Sequence, residues 1–434
     1  MNSQAVELAL GTLHESLGSP VSESMNFLNE VAQRYPDAIS FAAGRPYEGF
    51  FDLDDIHRHL ETYRRYLTER LGGDEAAVSR TVMQYGRTKG IIHELIARHL
   101  EVDEGITADP ESIVVTVGCQ EALYLTLRAL RRRDTDVLLS VVPAYVGMHG
   151  AAQLVDMPVL PVEETPEGID LDHLVAVVER AKADGLTPRA CYVVPDFANP
   201  SGVRLSLEAR RRLLELAAEH DFLILEDNPY GLLGDPDGPP TIKSLDDAAR
   251  VVYLGSFAKT GIPGARVGYV LADQRVAGGH GGPETLADQL AKIKSMVTVN
   301  TSPIAQAVIA GKLLENGCSL RAANTREIET YRSNLRQVLD GLERRFGGEK
   351  APGVSWNTPS GGFFVLLTVP FAADDALLES SAQLHRVLWT PLHHFYADPE
   401  PRRVIRLSFS HLRPQEIEEG LDRLAAFVLG RSDG

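Results

Sequence analysis

Through the middle of the chain, short unbroken apolar runs alternate with longer stretches whose apolar residues return every three or four positions. The short runs are IVVTV at 113–117, VLLSVV at 137–142, residues 157–162, CYVVP at 191–195, FLILE at 222–226, VVYLG at 251–255 and residues 266–272. Gly, Pro and Asp bound them, as expected for strands covered on both faces. Helical periods fill the intervals at 119–132 and 206–220. In the latter, SLEARRRLLELAAEH, Ser206 supplies an N-cap and the leucines form one stripe. This alternation predicts an α/β architecture around a mostly parallel or mixed sheet.

The texture changes after about residue 318. A long charged helix is predicted over 320–346, then WNTPSGGFFVLLTVP, short strands and a closing helix at 414–429. That reads as a smaller α+β domain. The expected division is a large domain over 61–311 and a small one built from 1–60 with 312–434. GGHGGPE at 278–284 reads as a loop.

Composition narrows the partners. The 434 residues hold 60 Asp+Glu against 43 Lys+Arg, a net charge of −17. Nucleic acid and anionic membrane surfaces both require a basic footprint, so neither is expected. A small anionic ligand needs only a few local donors and stays open. Cys119, Cys191 and Cys318 are too scattered for a disulfide framework or a zinc knuckle, and no metal is expected. The first residues lack a basic n-region, and no apolar run approaches the ~18 residues of a membrane span. A cytoplasmic location is expected.

Several segments carry chemistry. In GSFAKTGIPGARVGY (255–269), Lys259 follows a strand in a loop of small residues, where a desolvated amine can attack an aldehyde. The turn at Pro263-Gly264 can bring Arg266 back beside it as a phosphate partner. VTVGCQEAL (115–123) runs from strand through Gly118 into a helix and offers backbone N–H groups to an anion. Asp227 closes the apolar run in LILEDNPYGLL, and Asn199 sits in the turn PDFANPSG. Asn199, Asp227 and Lys259 each close a strand of the same apparent sheet, where α/β folds place ligands. In VIRLSFS (404–410), Arg406 has apolar neighbours, and a ligand carboxylate would neutralise it if it faces inward.

Together these strings resemble the fold-type I pyridoxal-phosphate (PLP) enzymes of the aminotransferase class I/II family, over about residues 25–429. The resemblance implies that Lys259 carries the cofactor and that Asp227 partners its ring nitrogen. It implies that Asn199 and Tyr230 reach the phenolic oxygen, that Tyr145 of VVPAYVG stacks on the ring, and that Gly118, Cys119, Gln120, Ser256 and Arg266 hold the phosphate. Cys119 stands where many members have Ser or Ala, and Ala258 where serine is commoner, so no side-chain bond is expected from Cys119 and backbone amides would serve at both places. Arg406 would clamp the substrate carboxylate, with Asn199 beside it. Gly44 and Arg45 of FAAGRPYEGFFD would line the substrate entrance. Tyr85 of MQYGRTKG would reach the phosphate of a neighbouring subunit, which implies a homodimer with shared active sites. Among broad subgroups, the strings resemble the aminoadipate and aromatic aminotransferases. MNFLNEVAQRYPDAISFAAGRPYEGFFD, VTVGCQEA, KIKSMVTVNTS and WNTPSGGFF also resemble the dihydroxyphenylglycine and hydroxyphenylglycine aminotransferases of glycopeptide-antibiotic pathways.

The expected activity is amino transfer between an L-amino acid, aromatic or arylglycine in type, and a 2-oxo acid in specialised amino-acid biosynthesis. Two other functions share these motifs. One is a different PLP reaction on the same scaffold: β- or γ-replacement, cyclisation or oxidation. The other is a transcriptional regulator with an aminotransferase-like sensor, which would carry a DNA-binding domain ahead of the motifs.

Overall fold

The computed structural model describes residues 6–278, 284–398 and 400–432. Eight strands form the large sheet: β1 (Ile113–Thr116), β2 (Asp136–Val142), β3 (Val159–Thr165), β4 (Gly168–Ile169), β5 (Thr187–Val193), β6 (Leu223–Asp227), β7 (Val251–Ser256) and β8 (Gly268–Leu271). Their spatial order is β1-β8-β7-β6-β5-β2-β3-β4. The run β7-β6-β5-β2-β3 is parallel, and β8 is antiparallel to both of its neighbours. Adjacent residues in these strands enter opposite cores. Leu138 and Leu225 pack on one face, Leu139 and Ile224 on the other. Burial of both faces is why the strands read as continuous apolar runs rather than as alternation.

The smaller sheet contains β9 (Ser355–Trp356), β10 (Phe364–Ala373), β11 (Thr390–Pro391) and β12 (Arg402–Ser408), in the order β9-β10-β12-β11. Its core gathers Val365, Leu367, Trp389, Ile405 and Leu407 with Val31, Phe41 and Ala42 from the N-terminal segment. Residues Ile39–Ser40 pair in parallel with Val387–Leu388, and Phe41 continues into the smaller sheet by accepting from Ser408 N at 2.7 Å.

The helices that matter below are α1 (Pro20–Arg34), α2 (Leu53–Arg70), α3 (Gly118–Leu130), α4 (Leu207–His220), α5 (Pro303–Glu315), α6 (Thr325–Phe346), α7 (Asp375–His385) and α8 (Pro414–Ser432). Helix α4 starts as expected, with Ser206 Oγ accepting from Ala209 N at 3.1 Å. Helix α2 runs across the expected boundary at residue 60, and Tyr63 and Leu67 share a core with Ala307 and Ala310 of α5. Among the described residues, no helix is long and apolar enough to cross a membrane.

Several expected boundaries move. The helix over 320–346 is two helices, Leu320–Ala323 and α6, parted at Asn324. Asn324 turns its amide inward, donating to Leu320 O at 2.6 Å and to Thr260 O at 2.7 Å. The strand at 266–272 starts only at Gly268, because Arg266 takes a left-handed turn with φ 50°. The strand at 404–410 is Arg402–Ser408, and that at 157–162 is Val159–Thr165. Most of the 278–284 loop lies outside the described residues.

Candidate active site

The carboxyl ends of β2, β5, β6 and β7 face the smaller sheet across a cavity of about 600 Å³. It lies outside the ends of parallel strands, the usual ligand position in such sheets. Gly44, Arg45, Cys119, Gln120, Tyr145, Asn199, Asp227, Tyr230, Ser256, Lys259, Arg266 and Arg406 all line it. Two of the expected residues do not. Gly118 lies just behind Arg266, and Tyr85 sits on the surface with 83% of its area exposed.

Lys259 hangs from the loop after β7. Its Nζ donates to Gly44 O at 2.7 Å and lies 5.6 Å from the Phe363 ring centre and 5.9 Å from that of Tyr230. Burial, then the charges of Arg406 and Arg266, lower its pKa to about 8. About a tenth of the amine is therefore uncharged and nucleophilic at pH 7, against well under a hundredth for an ordinary lysine. The bond from Asn324 to Thr260 O fixes the residue that follows the lysine.

Asp227 is the last residue of β6 and is 5% exposed. Its Oδ2 accepts from Tyr192 Oη at 2.6 Å and its Oδ1 from Cys119 Sγ at 3.4 Å. The expectation that Cys119 contributes only backbone is thus corrected: its side chain reaches the carboxylate. Burial raises the Asp227 pKa, and the two hydrogen bonds oppose that rise. A cation delivered beside it, such as a protonated pyridine nitrogen, would restore the ionised form.

The anion cradle is built from backbone. Gly118 opens α3 with φ 72°, and a Cβ there would collide with the Arg266 guanidinium. Gly268 is equally constrained, since a Cβ would stand 2.6 Å from Cys119 N. Arg266 adopts the left-handed state at a cost of roughly 1–2 kcal/mol for a residue with a Cβ, which sets its guanidinium against the α3 N-terminus. Gln120 Nε2 donates to Gly147 O at 2.6 Å, while its buried Oε1 has no partner. Ser256 Oγ accepts from Ala258 N at 3.1 Å.

Arg406 sits mid-strand in β12, between Leu366 of β10 and Thr390 of β11. Its guanidinium is inward, 4% exposed, between the rings of Phe364 and Phe395 at 4.4 and 4.8 Å. It donates to Asn199 Oδ1 and Ala42 O, both at 2.6 Å, and to Thr390 Oγ1 at 3.2 Å. All three partners are neutral, and the buried Nε has none. Burial lowers its pKa to about 10. The bond to Arg406 occupies Asn199 Oδ1 and leaves its Nδ2 as a donor. Asn199 does not close a strand as expected, because β5 ends at Val193. Asp196 holds the intervening loop by accepting from Arg204 and Arg210 at 2.7 and 2.8 Å.

Sequence reasoning missed Tyr192, Ala42, Thr390, Phe364 and Asn324. Tyr192 was visible within CYVVP, but nothing local shows which side of a doubly covered strand faces the site. Ala42 acts through its carbonyl, which leaves no side-chain signal.

The residues fit PLP. An amine without a counter-ion, a buried carboxylate and an anion cradle are held in one cavity, with an arginine lacking a counter-ion at its far wall. Residues 49–424 match the aminotransferase class I and II family. A (S)-3,5-dihydroxyphenylglycine transaminase of Amycolatopsis orientalis is 56% identical over 427 residues, covering 98% of this chain and 96% of that protein. An aromatic-amino-acid aminotransferase of Thermococcus litoralis is 31% identical, with coverage of 95% and 93%. Among solved structures, the α-aminoadipate aminotransferase of Thermus thermophilus, complexed with N-(5'-phosphopyridoxyl)-L-leucine, superposes with a TM-score of 0.79 at 28% identity, over 98% of this chain and 100% of that one.

Proposed function

The chain belongs to the aminotransferase class I and II family and is a PLP-dependent aminotransferase, and we propose that its amino donors are arylglycines and related aromatic L-amino acids. The observation that carries this reading is the 56% identity, over nearly both full lengths, to a dihydroxyphenylglycine transaminase. The pocket chemistry supports it. Tyr145, Tyr230, Phe364 and Phe395 give the cavity aromatic walls, and Arg406 gives it one carboxylate anchor. Specialised amino-acid biosynthesis is the setting we infer.

When bound, PLP supplies an electron sink for the carbanion formed at the substrate Cα. In our reading the chain's own residues do the rest. Lys259 Nζ would hold the cofactor and, once free, would serve as the base that takes and returns the substrate Cα proton. Asp227 holds a proton on the ring nitrogen, and Tyr192 and Cys119 orient that carboxylate. Asn199 and Tyr230 serve the phenolic oxygen, and Tyr145 packs on the ring. The N–H groups at Gly118, Cys119 and Gln120, with Ser256 and Arg266, take the phosphate. Arg406 binds the substrate carboxylate and so orients the Cα–H bond, beside Gly44 and Arg45.

We also read residues 61–311 as the cofactor-binding domain and 1–60 with 312–434 as the part that closes on substrate. A homodimer follows in this reading, with exposed Tyr85 completing the partner's phosphate site. The test of donor class is kcat/KM across a panel of L-amino acids with one fixed oxo acid. Arylglycines are expected to lead, followed by phenylalanine and tyrosine, with glutamate behind. Glutamate or aminoadipate as best donor, with arylglycines inert, would overturn the proposal.

A further inference from the structure

A second cavity, about 530 Å³, lies between α1 and the turn that follows β11. It shares no lining residue with the Arg406 pocket. Its polar wall is made by Asp375, the first residue of α7, and by His393 and His394 on the Leu392–Phe395 turn. The carboxylate is about half exposed at 46%, while the imidazoles are 11% and 4% exposed. Asp375 Oδ1 lies 2.8 Å from His394 Nε2 and 3.6 Å from His393 Nε2. One donor atom from each residue falls within 4.8 Å of the others, and among the described residues this is the one such cluster of three.

We propose that Asp375, His393 and His394 form a binding site for a transition-metal ion of the zinc class, held by one carboxylate oxygen and two imidazole nitrogens. Two histidines and a carboxylate are a borderline-soft N,N,O donor set of the kind zinc takes, with the fourth position left to water. Ligands about 2.0–2.2 Å from a tetrahedral ion stand roughly 3.3–3.6 Å apart. The observed 2.8 and 3.6 Å bracket that edge, and with the third pair of donors within 4.8 Å the imidazoles would draw together on the ion. Direct hydrogen bonding engages His393 only weakly, through the Ala373 backbone. Its Nε2 is too far from the carboxylate for a good bond, its ring lies against the Ala373 backbone, and its buried Nδ1 closes no hydrogen bond. His394 has the outer support that metal-binding histidines show, with Nδ1 at 2.7 Å from Ser24 Oγ.

The ion would join three elements. Ser24 and Phe27 belong to α1, and the Phe27 ring stacks on His394 at 5.2 Å. Asp375 belongs to α7. Phe395, next to His394, accepts from Ala144 N through its carbonyl at 2.9 Å and places its ring 4.8 Å from the Arg406 guanidinium. The site therefore clamps the N-terminal helix and one wall of the substrate pocket without touching the reacting atoms.

The test is a Co2+ titration of untagged, chelator-treated holoenzyme, read as visible absorption beyond the cofactor band. One Co2+ per chain is expected, in a low-coordinate spectrum, displaced by Zn2+ and leaving the cofactor absorbance unchanged. D375N and H393Q should abolish the signal, and S24A should weaken affinity roughly tenfold. Zn2+ should raise the thermal midpoint of the parent enzyme and not that of D375N. If H393Q does not fold, D375N decides, because its side chain is half exposed. No saturable Co2+ signal in the parent, or an undiminished one in folded D375N, would overturn the proposal.

Discussion

The molecule buries two arginines in opposite ways. Arg210, on α4, is 0% exposed and charge-matched: Asp196 takes Nη2 at 2.8 Å, and the carbonyls of Leu205, Pro195 and Pro240 take three more donors at 3.0–3.2 Å. Arg406 is as deeply buried, yet it has no carboxylate partner, and its Nε is bare. Two lysines repeat the contrast, Lys294 fully buried and Lys259 half-buried. Lys294 rests on Glu121 at 2.7 Å, whereas Lys259 meets only a backbone carbonyl. A buried charge without a counter-ion is costly, so the fold tolerates it where a ligand supplies the missing charge or reacts with it. The matched pairs are architecture, and the unmatched ones mark the site.

The largest expected effect is at Lys259. K259A should keep its fold but lose the visible absorbance of the lysine-bound cofactor and at least about 10⁴-fold in turnover. Turnover that survives without added amine would remove Lys259 from the chemistry. The same residue makes a pH prediction. With its pKa near 8, the amine is protonated and inert below that value and free above it. PLP capture by the cofactor-free enzyme should therefore accelerate about tenfold per pH unit up to about pH 8 and then level off. A rise continuing to pH 10 in stopped-flow absorbance would mean that the lysine is not desolvated.

Asp227 comes next. D227N should retain PLP, since phosphate contacts dominate retention, while kcat falls by roughly 10²–10³-fold. Normal turnover would show that another carboxylate serves the ring.

Arg210 gives the architectural counterpart. R210M should cost about 1–3 kcal/mol of stability by leaving the buried Leu205 and Pro195 carbonyls without their donor, with Asp196 keeping Arg204, while the folded fraction keeps kcat/KM within about tenfold. Urea unfolding and rates normalised to folded enzyme separate the two. Loss of activity without loss of stability would erase the distinction between the two arginines.

Much of this contrast was legible in sequence, though unevenly. The strands of the large sheet were readable because burial on both faces leaves apolar runs, and Lys259, Asp227 and Arg266 were readable because glycine and proline punctuate their loops. Inward-facing Arg406 was readable from its apolar neighbours. Three features were not. The helix break at Asn324 depends on a bond to Thr260, far away in sequence. The role of Tyr192 depends on which face of β5 meets Asp227. The link from Cys119 to Asp227 exists only once α3 is docked beside β6. Each is set by tertiary contact, which no local pattern encodes.

The most direct test of the central claim compares two amino donors in one half-reaction. An arylglycine and benzylamine, the same ring without the carboxylate, are each mixed with PLP-loaded enzyme, and the single-turnover rate of pyridoxamine phosphate formation is followed with product mass. With the arylglycine, the parent enzyme should yield one oxo acid per active site and then stop. In R406A the arylglycine rate at low concentration should fall by the equivalent of about 2–5 kcal/mol, roughly 30- to 4,000-fold, while the slow benzylamine rate barely changes. Equal losses for both donors would place Arg406 among the matched, architectural charges. No pyridoxamine phosphate from any donor would contradict the amino-transfer chemistry itself.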